Sequence, residues 1–224
     1  MLRPASMALL AVLATPVAAS AQFTDEQPRL VAGPMIGVSF ANLRGFEAAN
    51  THSQTGFVGG AFFTWLFTPY FGIQPEFFYV RKGASDVSFD PAVSPKGWST
   101  TTTYFEIPLL FKARYPVSEG RWPLTFSVVA GPAIGLLVGC TVNAPDASSV
   151  QCDDVPPSPY HRDPKPAGVD FSGIFGIGLD YNHFAFQARY DLSITDSYSQ
   201  VSTLAPILKN VAWELTLGYK FALH

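Results

Sequence analysis

The sequence predicts an all-β chain, an eight-stranded antiparallel up-and-down β-barrel that crosses a membrane. Three observations predict it. Apolar and polar residues alternate at period two through most of the chain after residue 30, the mark of strands rather than helices. The alternating segments run to roughly a dozen residues, where about 5–6 is usual for a globular strand and about 9–11 cross a bilayer at a tilt. The connections between them alternate short and long, as in barrels with short periplasmic turns and long external loops.

The first residues read as an export signal. Arg3 gives a positive n-region, "MALLAVLATPVAA" an apolar h-region, and "ASA" at residues 19–21 a small–x–small cleavage site. The apolar run is short for a spanning helix of about 20 residues, and Pro16 breaks it. Residues 1–21 are therefore assigned as a signal peptide and 22–224 as the barrel domain. Losing Arg3 takes the formal charge from −3 to −4. With no basic patch and no interleaved aromatics, nucleic acid is excluded as a partner. The chain is 48% hydrophobic and 14% charged, poor in charge beside the roughly 25% of a soluble domain.

Eight segments follow in order. The first, residues 30–41, has a pattern diluted by Gly33, Pro34 and Gly37. The second is "TGFVGGAFFTWLFT", 55–68. In the third, 71–82, Phe71, Ile73, Pro75, Phe77 and Tyr79 oppose Gly72, Gln74, Glu76 and Phe78. In the fourth, "TTTYFEIPLLFKARYP" at 101–116, Phe105, Ile107, Leu109 and Phe111 oppose Glu106, Leu110, Lys112 and Arg114. The fifth and sixth are 124–139 and the Gly-rich 169–181. In the seventh, 183–195, Phe184, Phe186, Ala188 and Tyr190 oppose Gln187, Arg189 and Asp191. In the eighth, 210–221, Trp213, Leu215, Leu217 and Tyr219 oppose Glu214, Thr216, Gly218 and Lys220. Turns near Pro69 and Asn182 are short and 116–123 is intermediate. Residues 42–54, 83–99, 140–168 and 196–209 are long, polar connections. The third of these is Pro-rich and carries both cysteines, so it is expected to be extended or stapled rather than helical.

Which face is inside decides the function class. The apolar face is large and aromatic. The polar face is small, with many glycines and few, nearly balanced charges, unlike a water-facing surface dense in Lys and Glu. The apolar face therefore meets lipid, with Tyr and Trp near strand ends as interfacial girdles. Closure is required, because lipid offers no partner to an open edge. Glu76, Glu106, Lys112, Arg114, Arg189, Asp191, Glu214 and Lys220 then face inward. Eight strands enclose room only for side chains, and shielded charges must be paired. The eight are expected to form an ion-pair network, with Phe78 and Leu110 adding to the plug. Two alternatives stand beside this: a narrow pore for small solutes or ions, and a soluble periplasmic barrel holding an apolar ligand.

Export and an even count predict a Cys140–Cys152 disulfide, worth about 3 kcal/mol in loop-closure entropy. The nearby His161 makes no zinc-like spacing. His52 and His161 are placed in loops, His183 at a periplasmic turn and His224 at the end. The adjacent His52–Ser53 pair is no catalytic arrangement. No phosphate loop, HExxH or CxxC motif is present. No catalytic residue, metal or cofactor is expected. The long loops, above all the third with Tyr160, are where an external partner would bind.

Several stretches carry a resemblance: "GFVGGAFFTWLFTPYFGIQPEFFYVRKGA", "YFEIPLLFKARYP", "VVAGPAIGLL", "DFSGIFGIGLDYNHFAFQARYDLSITD" and "KNVAWELTLGYKF". Together they resemble the outer-membrane β-barrel domain family labelled porin-family or PorT-like. The resemblance spans about residues 30–221. It implies a small monomeric barrel of the OmpA and OmpX type in a Gram-negative outer membrane. The partners it implies are outer-membrane lipid and the barrel-insertion machinery. It does not imply solute transport, despite the porin label. One departure is that Phe221, the expected terminal aromatic, is followed by Ala-Leu-His.

Overall fold

Runs of β-branched and aromatic residues with period-two alternation favour pleated strands, and the chain pairs them into one closed sheet. The computed structural model describes residues 29–45, 51–87, 98–118, 123–143, 148–154, 166–196 and 209–223. The expected signal peptide, Tyr160, His161 and His224 lie outside these residues. Among the described residues ten strands are present: β1 Leu30–Arg44, β2 His52–Leu66, β3 Phe71–Val87, β4 Trp98–Ser118, β5 Leu124–Asn143, β6 Ser149–Gln151, β7 Val169–Tyr181, β8 Phe184–Ser193, β9 Lys209–Tyr219 and β10 Phe221–Leu223.

Neighbours pair antiparallel in the order β1-β2-β3-β4-β5-β7-β8-β9, and β9 returns to β1. The closing ladder runs from Met35 opposite Gly218 to Arg44 opposite Lys209. β10 continues it, with Ala32 opposite Phe221. β9 and β10 are thus two pieces of one stave, interrupted at Lys220, and the barrel has eight staves, the class the sequence predicts. β6 is an extra rung on β5 outside the ring. Among the described residues no helix is long and apolar enough to cross a membrane.

The strands outrun the expected boundaries. β1 continues to Arg44, β3 to Val87 and β5 to Asn143, while β2 begins at His52 and β4 at Trp98. The physical reason is that a ladder needs only backbone partners, so Ser, Thr and Gln carry the pairing past the apolar band. Two placements are corrected by this. His52 opens a strand rather than lying in a loop, and Cys140 sits within β5. Within the described residues the third long connection holds β6 and one 3-10 turn, Cys152–Asp154, where no helical turn was expected. The turn brings Cys152 back to Cys140. The two are disulfide-bonded, Cα atoms 5.4 Å apart, one step beyond the Thr141–Gln151 rung.

Proline and glycine mark irregular points in the wall. Pro108 lacks an N–H donor, and the β3–β4 ladder skips from Pro75–Leu109 to Phe78–Glu106 around it. The absence of a side chain at Gly56 lets Ser39 on β1 reach past β2 and donate to the Arg81 carbonyl on β3, 2.6 Å away.

The faces separate by solvent. Ile36, Phe57, Phe77, Ile107, Phe111, Phe175, Phe186 and Trp213 are all exposed on the outer wall. Among the described residues, two apolar clusters lie inside. One is Met35, Val58, Phe62, Phe78 and Val80; the other is Leu110, Val129, Ala133 and Ile174. A soluble barrel would require the opposite arrangement.

Candidate functional site

Among the described residues, buried charge concentrates in the barrel interior. Alternation decides which residues enter it: with the outer positions apolar, every second residue of β3, β4, β8 and β9 projects inward. Arg189 on β8 lies at the centre, fully buried. Its Nε donates to Glu214 Oε2 on the neighbouring β9, and its Nη1 donates to Glu76 Oε2 from β3 across the lumen, both at 2.5 Å. The guanidinium also stacks over the Phe78 ring, 4.6 Å from its centroid, a contact that favours a cation.

A second bridge spans β3, β4 and β8. Lys82 Nζ lies against Glu106 and 2.5 Å from Asp191 Oδ2. Nearer the short turns, Lys112 Nζ donates to Gln74 Oε1 at 3.1 Å and pairs with Asp180 at 3.3 Å. Gln74 joins the two layers, because its Nε2 donates to Glu76 Oε1 at 2.6 Å. A continuous polar chain therefore runs from Asp180 through Lys112, Gln74, Glu76 and Arg189 to Glu214. At the outer end Asp170 accepts from Ser193 and, at 2.8 Å, from Thr195.

Of the eight charges singled out in the sequence, Glu76, Glu106, Lys112, Arg189, Asp191 and Glu214 are buried within the barrel. Arg114 and Lys220 are half-buried at the end carrying the short turns. Neither has an ion pair within 4 Å among the described residues. The reading of the sequence missed Lys82, Asp180, Asp170 and Gln74 as network members. The signal was available: Lys82 continues the inward series of Gln74, Glu76 and Phe78, and Asp170 and Asp180 share the inward parity of the sixth segment.

Glu106, Asp191 and Glu214 each bring a carboxylate oxygen within 4.8 Å of the others, a spacing that suits a hard cation. The Lys82 ammonium already lies against two of the three, so a protein cation stands where a metal would. His52 Nδ1 pairs with Asp86 Oδ2 at 3.0 Å on the exposed rim. The nearby Ser85 hydroxyl donates to the His52 backbone carbonyl, not to the ring. Between the two charged layers, the side-chain polar atoms of Ser127, Gln187 and Thr216 are buried without a protein partner.

A family model described as "Outer membrane protein beta-barrel domain" matches residues 20–199. Among solved structures, the chain resembles Ail, the attachment invasion locus protein of Yersinia pestis, in complex with the heparin analogue sucrose octasulfate. That match has 14% identity, covers 86% of this chain and 99% of that one, and has a TM-score of 0.43. The N-terminal β-barrel domain of Pseudomonas aeruginosa OprF matches at 15% identity, covering 87% and 98%, with a TM-score of 0.38. OprG from the same organism matches at 12% identity, covering 87% and 96%, with a TM-score of 0.36. No curated protein sequence matches the chain.

Proposed function

The chain belongs to the outer membrane protein β-barrel domain family, and from that premise we propose a non-enzymatic, structural or surface-interaction barrel whose interior is plugged. The carrying observation is the polar chain from Asp180 to Glu214, which crosses the lumen between β3 and β8 through Glu76 and Arg189. Phe78 and Leu110, both fully buried, occupy space beside it. Any external partner is met by the long connections, which emerge at one end. The mature domain begins after the export signal at residue 22.

A narrow pore is the second reading, and one observation favours it. Ser127, Gln187 and Thr216 present unpaired polar atoms to the interior, and such atoms are hydrated when buried. Liposome swelling separates the two readings. The plugged barrel gives no swelling with small neutral solutes beyond that of empty vesicles. Swelling that scales with protein content and falls with solute size overturns the proposal.

A further inference from the structure

Positive charge is in excess inside the barrel at the end carrying the short turns, the periplasmic end in barrels of this kind. Lys112 and Arg114 project inward from β4, Asp180 from β7 and Lys220 from the break between β9 and β10. Lys220 lies within electrostatic reach of the other three, and Arg114 within reach of Asp180. Lys112 takes the carboxylate, 3.3 Å from Asp180 Oδ2. Arg114 and Lys220, both half-buried, are left with no carboxylate within 4 Å among the described residues. The β7–β8 turn fixes Lys220 at this place. Its backbone N–H donates to the His183 carbonyl at 2.6 Å, and His183 Nδ1 lies 3.3 Å from the Lys220 carbonyl.

A second, independent feature lies in the wall above these charges. Arg114, Ser127, Gly178, Gln187 and Thr216 are successive cross-strand partners on β4, β5, β7, β8 and β9. Because the strands of a closed ring tilt, this row climbs from the mouth toward the Arg189 layer. The Arg114 Nε, the Ser127 and Thr216 hydroxyls and both ends of the Gln187 amide are buried without a protein partner. Ser127, Gln187 and Thr216 are each at most 5% exposed. Gly178 keeps the row open, since a Cβ there would stand 2.5 Å from Ser127 Oγ. Water satisfies such dipoles but leaves the two cations uncompensated in a partly desolvated mouth. An anion does both, because guanidinium, hydroxyl and amide can all donate to it.

We propose that the periplasmic mouth of the lumen binds a small oxyanion of phosphate size between Arg114 and Lys220, with Ser127 and Gln187 donating from above. The bound ion supplies the negative charge that Asp180, held by Lys112, does not. The site faces the lumen rather than the outer wall, so its ligand is a soluble ion and not a lipid headgroup. It lies below the Arg189 layer and does not depend on that layer closing the barrel.

The test uses the full barrel in octyl glucoside micelles, which carry no phosphate, and reads inorganic phosphate by phosphorus NMR line broadening. The wild type is expected to give saturable broadening that sulfate reverses. Arg114→Gln with Lys220→Gln is expected to weaken binding about tenfold or more, and Ser127→Ala about threefold. Asp180→Asn removes the competing carboxylate and is expected to tighten binding. Absence of saturable binding in the wild type, or unchanged binding in the double variant, overturns the assignment. Unchanged or weaker binding in Asp180→Asn also overturns it. So does chloride competing as well as sulfate at equal ionic strength, which would reduce the effect to screening. Phosphatidylglycerol competing as well as sulfate would move the ligand to the membrane and overturn it too. Folding of each variant is checked by heat-modifiable gel mobility. If the double variant fails to fold, Arg114→Gln and Lys220→Gln alone are held to a loss of about threefold each. Conductance is read separately, so a conducting wild type would overturn the plug and leave this site standing.

Discussion

Replacing Arg189 with methionine tests the interior network at its centre. The substitution keeps most of the side-chain volume and the contact with Phe78, and removes the cation between two buried carboxylates. Breaking a buried pair from one side costs about 3–5 kcal/mol, because a charge is left without compensation. The geometry says where that cost falls. Glu76 keeps one partner, the Gln74 amide at 2.6 Å. Glu214 keeps none, since its Oε2 was held by Arg189 and its Oε1 has no protein partner. Adding Glu214→Gln to Arg189→Met should therefore recover most of the loss, and adding Glu76→Gln should recover less. Urea unfolding in lipid vesicles, followed by tryptophan fluorescence and gel mobility, gives the four free energies. Wild-type stability for Arg189→Met would mean that water solvates these carboxylates. Equal recovery by the two glutamine substitutions would refute the asymmetry.

Other outcomes follow from the same contacts. Lys112→Met leaves Asp180 without its ion pair and should cost about 3 kcal/mol. Glu106→Gln, which leaves Lys82 still paired with Asp191, should cost about 1–3 kcal/mol; urea midpoints rank the two. On the outer wall, Leu109→Arg near the middle of the apolar band should cost about 2–4 kcal/mol, and Thr101→Arg near its end about 0–1 kcal/mol; both are read by the same unfolding assay. Cys140→Ser with Cys152→Ser should leave insertion and heat-modifiable mobility intact. External protease should then cut within residues 148–154 faster than in the oxidised protein, and an unchanged rate would show that the disulfide does not secure that segment.

Much of this architecture could be read from the sequence because lipid leaves little choice. In β4 the series Phe105, Ile107, Leu109 and Phe111 can face only lipid or a core, and the interleaved Glu106 and Lys112 rule out an apolar core on the other side. Parity then places every residue of the strand on one face. The partners were not legible. Glu76 and Arg189 are 113 residues apart, and nothing local says that β3 and β8 face each other across the lumen. That depends on strand number and the stagger of the closed ring. Lys82 stands at the expected end of its strand, where alternation says least about which way a side chain points. His52 and Cys140 were misplaced for a related reason, since polar residues carry β2 and β5 beyond the apolar band that the eye follows. The break at Lys220 had no signal in the alternation, which continues unchanged through Phe221 and Leu223.

The central claim is that the inward charges lock the barrel and close it. Planar-bilayer recording on the purified, inserted protein tests this most directly, with wild type compared to Arg189→Glu paired with Glu214→Arg, which keeps the local charges but reverses their positions. A plugged interior predicts no stable unitary conductance steps from the wild type. Reproducible wild-type steps whose size or ion selectivity changes with the swap would place those charges along an open path and contradict the account.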